Sequence, residues 1–327
     1  MKLLLVGDLI GNTGPANVNK ALKKYLPTDT IFLEKKTKTS RVIELFIKMR
    51  KVDAVIFSGM SKINIIGFKL AKLLDVKSVY LMHGCRSIEG KINQNYNQRD
   101  VNAENEVLEL APRIICVSEF FMNWMKKNYP QYKEKITYVN NGIDWDGMVS
   151  EKVPVERDSK TLLAVGGGMP QKNILSICRA IDLINRKDKM NLKLIVIGKG
   201  GKDIEEIISY PFVNYVGEVK YEEMSAYYQK SRIFVQNSIF ETFGLAPIEA
   251  LVNGCDLLIS QGTGAKSIIS GLEENDIIYN PFDIEEISSK IKILLTKSNN
   301  ERLLKSINKE ETSIEFAVSR IIDILRG

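Results

Sequence analysis

Histidine is almost missing from this sequence, with His83 the single one. Multi-histidine metal chemistry is thereby excluded. Cysteine is sparse too. Cys85, Cys116, Cys178 and Cys255 are scattered through apolar or small-residue contexts, and no CxxC pair occurs. Neither a disulfide framework nor a zinc site is indicated, and a reducing cytoplasm suits such a chain. No apolar run approaches the roughly 18 residues of a membrane span. The opening MKLLLVGDLIGNTG has too short an apolar stretch for a secretory signal and reads as a buried first strand. The composition is that of a soluble globular protein, 44% apolar and 26% charged. Its 327 residues leave room for two domains of about 150 each.

The charge is uneven. Residues 1–150 hold 23 basic and 15 acidic side chains, and the rest hold 23 and 25. The early excess gathers in Lys20, Lys23, Lys24, Lys35, Lys36, Lys38, Arg41, Lys48, Arg50 and Lys51. A basic face of this kind attracts anionic lipid by about 1 kcal/mol per residue near the surface. A solvated lysine-rich surface accounts for the run equally well. No aromatic-interleaved motif accompanies it, so nucleic acid is not an expected partner.

Short β-branched runs alternate with amphipathic stretches. Strands are expected at Leu3–Val6, Ile31–Leu33, Ala54–Phe57, Ser78–Leu81, Ile114–Val117 and Thr137–Val139. Helical patterns lie between them, as at Ile43–Met49 and Phe120–Tyr129. The strands are continuously apolar, as buried parallel strands are. Asp144–Ser159 is polar, carries Gly147 and Pro154, and reads as a linker. A second series follows at Thr161–Val165, Lys193–Ile197, Val213–Val216, Ile233–Gln236, Asp256–Ile259 and Ile277–Tyr279, and a last helix near Ser313–Leu325 closes the chain. This alternation predicts an α/β protein of two doubly wound, Rossmann-like parallel-sheet domains, 1–150 and 151–327. In such sheets ligands bind at the carboxyl ends of the strands.

The most informative segment is Glu241-Thr-Phe-Gly-Leu-Ala-Pro-Ile-Glu249, after the strand Ile233–Gln236. Pro247 fits only the first turn of a helix. Gly254 suits its end. A short helix is expected from Leu245 to Asn253, with the N–H groups of Phe243, Gly244 and Leu245 facing a place for an anion. Two glutamates eight apart around Phe-Gly-Leu resemble the E-x7-E motif of glycosyltransferase family 4, of the GT-B fold. The resemblance implies two domains facing across a cleft, and no metal or other cofactor. It implies transfer of a sugar from a nucleotide-diphosphate sugar with retention of configuration. Glu241 would contact the donor sugar, Glu249 the ribose hydroxyls, and the Phe243–Leu245 amides the diphosphate.

Further segments extend the resemblance. Leu162-Leu-Ala-Val-Gly-Gly-Gly-Met-Pro-Gln-Lys172 matches the family's strand and loop, which carries an arginine and then a lysine. Lys172 matches the lysine, whereas Gly167 stands at the arginine position. The missing charge is expected from Lys199, from the amides of the run Gly166-Gly167, or from Arg86. Ser260–Ile269 resembles the later Gly-Gly loop, with Ser267 where the family has a glutamate. His83 follows the strand Ser78–Leu81, where family members often place a histidine near the reacting sugar. Its expected role is positioning and hydrogen bonding. Gly7, Gly11 and Gly14 suggest close approach of a phosphate or acceptor after the first strand. With Glu34 about 20 residues on, they also admit a dinucleotide-binding oxidoreductase. Asp144-Trp-Asp146 superficially matches a D-x-D metal motif and is read as structural.

The reading is therefore a metal-independent hexosyltransferase. Its first domain would bind a glycan or lipid-linked acceptor, its second the donor, and its last helix would pack back on the first domain. It would work in the cytoplasm, or on the inner face of the cell membrane, in surface polysaccharide or glycoconjugate synthesis. The departures at Gly167 and Ser267 keep a non-catalytic, glycan-binding partner subunit as an alternative, and a nucleotide-sugar epimerase as a more distant one.

Overall fold

The computed structural model describes residues 1–11, 13–35, 37–148 and 157–327. The chain forms two compact units. One comprises Met1–Gly90, Tyr96–Asp144 and Lys309–Gly327, and the other Lys91–Asn95 and Trp145–Asn308. The expected domain border at 150/151 lies outside the described residues. The units also differ from two continuous halves. Five residues of the early sequence belong to the second unit, and the last helix, Ile314–Arg326, belongs to the first.

The first unit is built on six parallel strands: β1 Leu3–Val6, β2 Ile31–Phe32, β3 Ala54–Ser58, β4 Lys77–Met82, β5 Ile114–Cys116 and β6 Ile136–Tyr138. Their order is β2-β1-β3-β4-β5-β6. β1 and β3 are buried along their whole length, so both faces must be covered by helices. Hydroxyl and amide side chains start those helices. Thr13, Thr37, Asn97, Ser118 and Ser313 each accept a hydrogen bond from a first-turn N–H. The last helix is anchored by Ile143, whose N–H donates to Thr312 (2.9 Å) and whose carbonyl accepts from Ile314 (3.1 Å).

The second unit has β7 Asp158–Val165, β8 Lys193–Ile197, β9 Val213–Gly217, β10 Ser231–Gln236, β11 Asp256–Ser260 and β12 Ile277–Ile278. All pairs are parallel, in the order β12-β11-β10-β7-β8-β9. The helices Ile174–Asp188 and Ile284–Thr296 bury Ile177, Ile181, Ile184, Ile287 and Ile291 against this sheet. Strand order reverses direction between β1 and β3 in one unit and between β7 and β10 in the other. Those are the points where an open α/β sheet parts its loops and receives ligands.

Candidate functional site

In the second unit the loops after β7 and β10 meet at this reversal. Pro170–Lys172 forms a single 3-10 turn. From it the Lys172 ammonium makes a close ion pair with the Glu241 carboxylate, both side chains being largely buried. Gln171 fixes the same two loops. Its side-chain amide donates to the Phe240 carbonyl (2.7 Å), and its own carbonyl accepts from the Ile239 N–H (2.9 Å). Asn93 completes the clamp from the early sequence, donating to the Gln171 side chain at 2.8 Å and accepting from the Gln171 N–H at 3.0 Å.

The Glu241 backbone is held from the other side by residues 262–265. Glu241 N–H donates to Gly262, Gly264 N–H to Glu241 and Ala265 N–H to Phe243, at 2.8, 2.9 and 2.7 Å. This is the work of the loop that lacks the family's glutamate. Ser267 only closes its own turn, donating to the Gly264 carbonyl at 2.9 Å. The helix beyond Glu241 runs Ala246–Val252, with Pro247 in its first turn. Among the described residues, the N–H groups of Phe243, Gly244 and Leu245 donate to no protein acceptor. Three N–H donors at a helix start beside an ammonium form a setting for an anionic oxygen. Glu249 lies within the helix and is half-buried. Burial raises its pKa, and the Tyr228 hydroxyl, donating at 2.8 Å, partly offsets the rise.

The glycine run after β7 behaves differently from expectation. The N–H groups of Gly166 and Gly167 both donate to the Ile197 carbonyl, at 2.7 and 3.0 Å, and Gly168 donates to Lys199 at 3.2 Å. These amides are engaged with protein carbonyls, so they are not the anion donors the sequence suggested. Gly167 is left-handed, with φ +57°, and any side chain there would strike the Lys199 carbonyl. No arginine fits that backbone. Lys199 itself is exposed after β8 and pairs with no acid among the described residues, so it remains a free cation beside the loop.

The first unit carries His83 just beyond β4. Its Nε2 lies 2.8 Å from Ser58 Oγ, which in turn lies 2.5 Å from Asn19 Oδ1. Asn19 uses its NH₂ group on the Asp8 carbonyl, at 3.1 Å. Its Oδ1 therefore takes the Ser58 proton, and His83 Nε2–H is the donor to Ser58. That assigns the neutral Nε2–H tautomer from the network. Burial lowers the His83 pKa to about 4. The group is a neutral imidazole held in a hydrogen-bonded network of the first unit.

The loop after β1 does not fit a phosphate. Asp8 Oδ1 accepts from the N–H groups of Ile10 (2.9 Å) and Gly11 (3.0 Å), and these bonds lower its pKa. A carboxylate already occupies the amides that a phosphate would need. Gly14 opens the following helix with open space around its α-carbon. Arg86 is exposed at the start of the helix Arg86–Ile92, and its N–H donates to the buried Glu104 at 3.0 Å. Asp144 accepts from Lys24 (3.1 Å) and Tyr25 (3.0 Å) within the first unit, which is a structural use. Sequence reading missed Asn19, Ser58, Asn93, Gln171 and Tyr228, because each acts through a partner remote in the chain, and it missed Asp8, whose carboxylate closes its own loop.

Two six-stranded parallel sheets in one chain, with a lysine–glutamate pair at the reversal of the second, define a protein of the GT-B class. Two family models cover most of the sequence: "Glycosyl transferases group 1" over residues 149–311 and "Glycosyltransferase Family 4" over 18–146. The chain belongs to glycosyltransferase family 4, a family of sugar-transferring enzymes. It is 25% identical to O-antigen chain mannosyltransferase B of Escherichia coli, over 63% of this chain and 57% of that protein. It is 23% identical to the alpha-monoglucosyldiacylglycerol synthase of Acholeplasma laidlawii, over 65% of this chain and 60% of that one. The matched stretches thus span under two thirds of these relatives' lengths. The crystal structure of Anabaena Alr3699/HepE in complex with UDP and glucose superposes with a TM-score of 0.73 at 13% identity, covering 100% of this chain and 99% of that one.

Proposed function

We propose that this protein transfers a hexosyl group from a nucleoside-diphosphate sugar to a glycan or lipid-linked acceptor, with retention of configuration and without a metal. The observation that carries the reading is the Lys172–Glu241 pair next to three N–H groups without acceptors among the described residues. Donor binding would draw Lys172 toward the diphosphate and leave Glu241 to a sugar hydroxyl. Glu249 would accept from the ribose, and Lys199 would supply the second cation that Gly167 does not. As the bond from the sugar to the diphosphate breaks, a phosphate oxygen would take the proton of the attacking hydroxyl on the same face. The protein contributes position and fixed charge to that step. The first unit would bind the acceptor, with neutral His83 orienting it.

The names of the two relatives support both acceptor classes, an O-antigen chain and a diacylglycerol lipid. The UDP and glucose in the Anabaena structure make a UDP-sugar the first donor to try. No helix among the described residues is long and apolar enough to cross a membrane. A second reading, a non-catalytic, glycan-binding partner subunit, is favoured by Gly167, whose backbone cannot carry the family's arginine.

Thermal unfolding with a panel of nucleoside diphosphates and their sugars tests the proposal. Ligand at 100 times its Kd stabilises by about 2.7 kcal/mol. A rise in Tm with one nucleotide family, lost in Glu249→Ala, is the expected result. No rise with any nucleotide would overturn it. A rise without turnover on any glycan or lipid acceptor would move the assignment to the partner subunit.

A further inference from the structure

The basic residues of the early sequence do not share one face. Lys20, Lys23 and Lys24 lie on the helix Gly14–Tyr25, which packs against the last helix, whereas Lys48 lies on the helix Lys38–Met49, which packs against Ile63–Leu73. The connections β1 to β2 and β2 to β3 run in opposite directions along the sheet. Right-handed crossovers therefore put these two helices on opposite faces. The second helix is unusual in what it leaves in solvent. Ile43 is 57% exposed, Phe46 37% and Ile47 50%, while Leu45 and Met49 on the inner side are fully buried. Their spacing places the three on one outward stripe.

The helix carries one acid, Glu44, and it faces inward. Its carboxylate is bound by Lys48 at 2.7 Å and by the N–H groups of Glu34 (2.9 Å) and Lys35 (2.9 Å). The outer stripe is flanked by cations and by exposed acids: Glu34 lies 4.0 Å from Lys48, and Asp53 and Asp75 line one groove with Arg50. Lys35 precedes the helix, Arg50 and Lys51 follow it, and none of the three pairs with an acid among the described residues. The Arg50 guanidinium lies over the Phe46 ring, 3.8 Å from its centroid, so charge and apolar surface are contiguous.

We propose that the outer face of the helix Lys38–Met49 docks on an anionic lipid bilayer. Ile43, Phe46 and Ile47 enter the boundary between headgroups and acyl chains, and Lys35, Arg50 and Lys51 stay at headgroup level. The inference deepens the lipid-linked-acceptor reading by naming the surface that brings the enzyme to such an acceptor. Its test needs neither donor nor acceptor, so it fails or succeeds apart from the transferase reading.

The full chain is floated with phosphatidylcholine vesicles, with and without phosphatidylglycerol. Wild type is expected to float only with the anionic vesicles, and less so as salt rises. Phe46→Ser with Ile47→Ser abolishes flotation. Arg50→Ser with Lys51→Ser weakens it about fivefold for each cation removed. Phe316→Ser, at an exposed position of the last helix, floats as wild type. Circular dichroism melts show that each variant is folded. The proposal is overturned if wild type ignores anionic vesicles, or if both double variants bind as wild type does. It is also overturned if wild type is a dimer that the Phe46/Ile47 variant splits without either floating, which would assign the face to a second copy.

Discussion

The two units use one kind of sheet for opposite purposes. At the edge of the first, polar groups satisfy one another and carry no net charge: His83 to Ser58, Ser58 to Asn19, Asn19 to the Asp8 backbone. At the edge of the second, a positive and a negative charge meet beside N–H groups that find no acceptor among the described residues. A neutral, closed network sets shape. A charged, open one answers to a ligand that brings its own charge. Under the proposed function, the second unit is then the donor side.

The largest expected effect removes the charge from the open side. Lys172→Ala should lower kcat by about 10²–10³, the usual result of deleting one group that stabilises developing charge. The Tm should fall as well, because the largely buried Glu241 carboxylate loses its partner. A loss of stability with unchanged kcat would make the pair structural, and the contrast between the units would collapse. The next effect concerns the closed side. Unfolded His83 binds a proton below about pH 6.5, whereas the native one does so only below about 4. Between these values the unfolded chain holds more protons, so stability falls as pH drops through that window. The loss from this group approaches about 3 kcal/mol. Urea melts at pH 7 and pH 4.5 measure it, and His83→Gln should shrink the difference.

Much of this architecture was legible in the sequence because buried parallel strands must be continuously apolar. β1 and β8 fall on the residues expected, and the other ten strands lie within three residues of their expected ends. The glutamate helix was legible from Pro247 and Gly254, which restrict where a helix starts and stops. What was not legible depends on backbone approach between distant loops. The run Gly166-Gly167-Gly168 reads as an anion cradle until Ile197 and Lys199 are seen to take its N–H groups. The loop after β1 reads as a phosphate turn until Asp8 is seen to fill it. The five residues Lys91–Asn95 carry no sign of belonging with the second unit, because Asn93 earns its place only through Gln171.

Tyr228 sharpens the comparison further. Among the described residues it is the group that holds the Glu249 carboxylate, which is already penalised by burial. Tyr228→Phe should raise the Glu249 pKa further. Donor affinity, which needs the carboxylate, should then fall off at a higher pH than in wild type. At neutral pH the loss should be about tenfold, as for a hydrogen bond to a charged group. An unchanged pH profile would remove Tyr228 from any positioning role.

The smallest effect decides what the first loop is for. A Cβ at Gly14 would meet no atom of the described residues within 4 Å, and its φ lies outside the left-handed region. Nothing in the fold demands glycine there. If the loop is the closed structure that Asp8 makes it, Gly14→Ala should stabilise the protein by about 0.4–1 kcal/mol, through the lower entropy of the unfolded chain. Turnover should stay at the wild-type level. If instead the glycine leaves room for an acceptor or a phosphate, the same methyl group should raise the KM for that ligand while the melt still improves. A KM effect of that kind would restore the loop to the site and show that the first unit, too, holds an edge open for ligand.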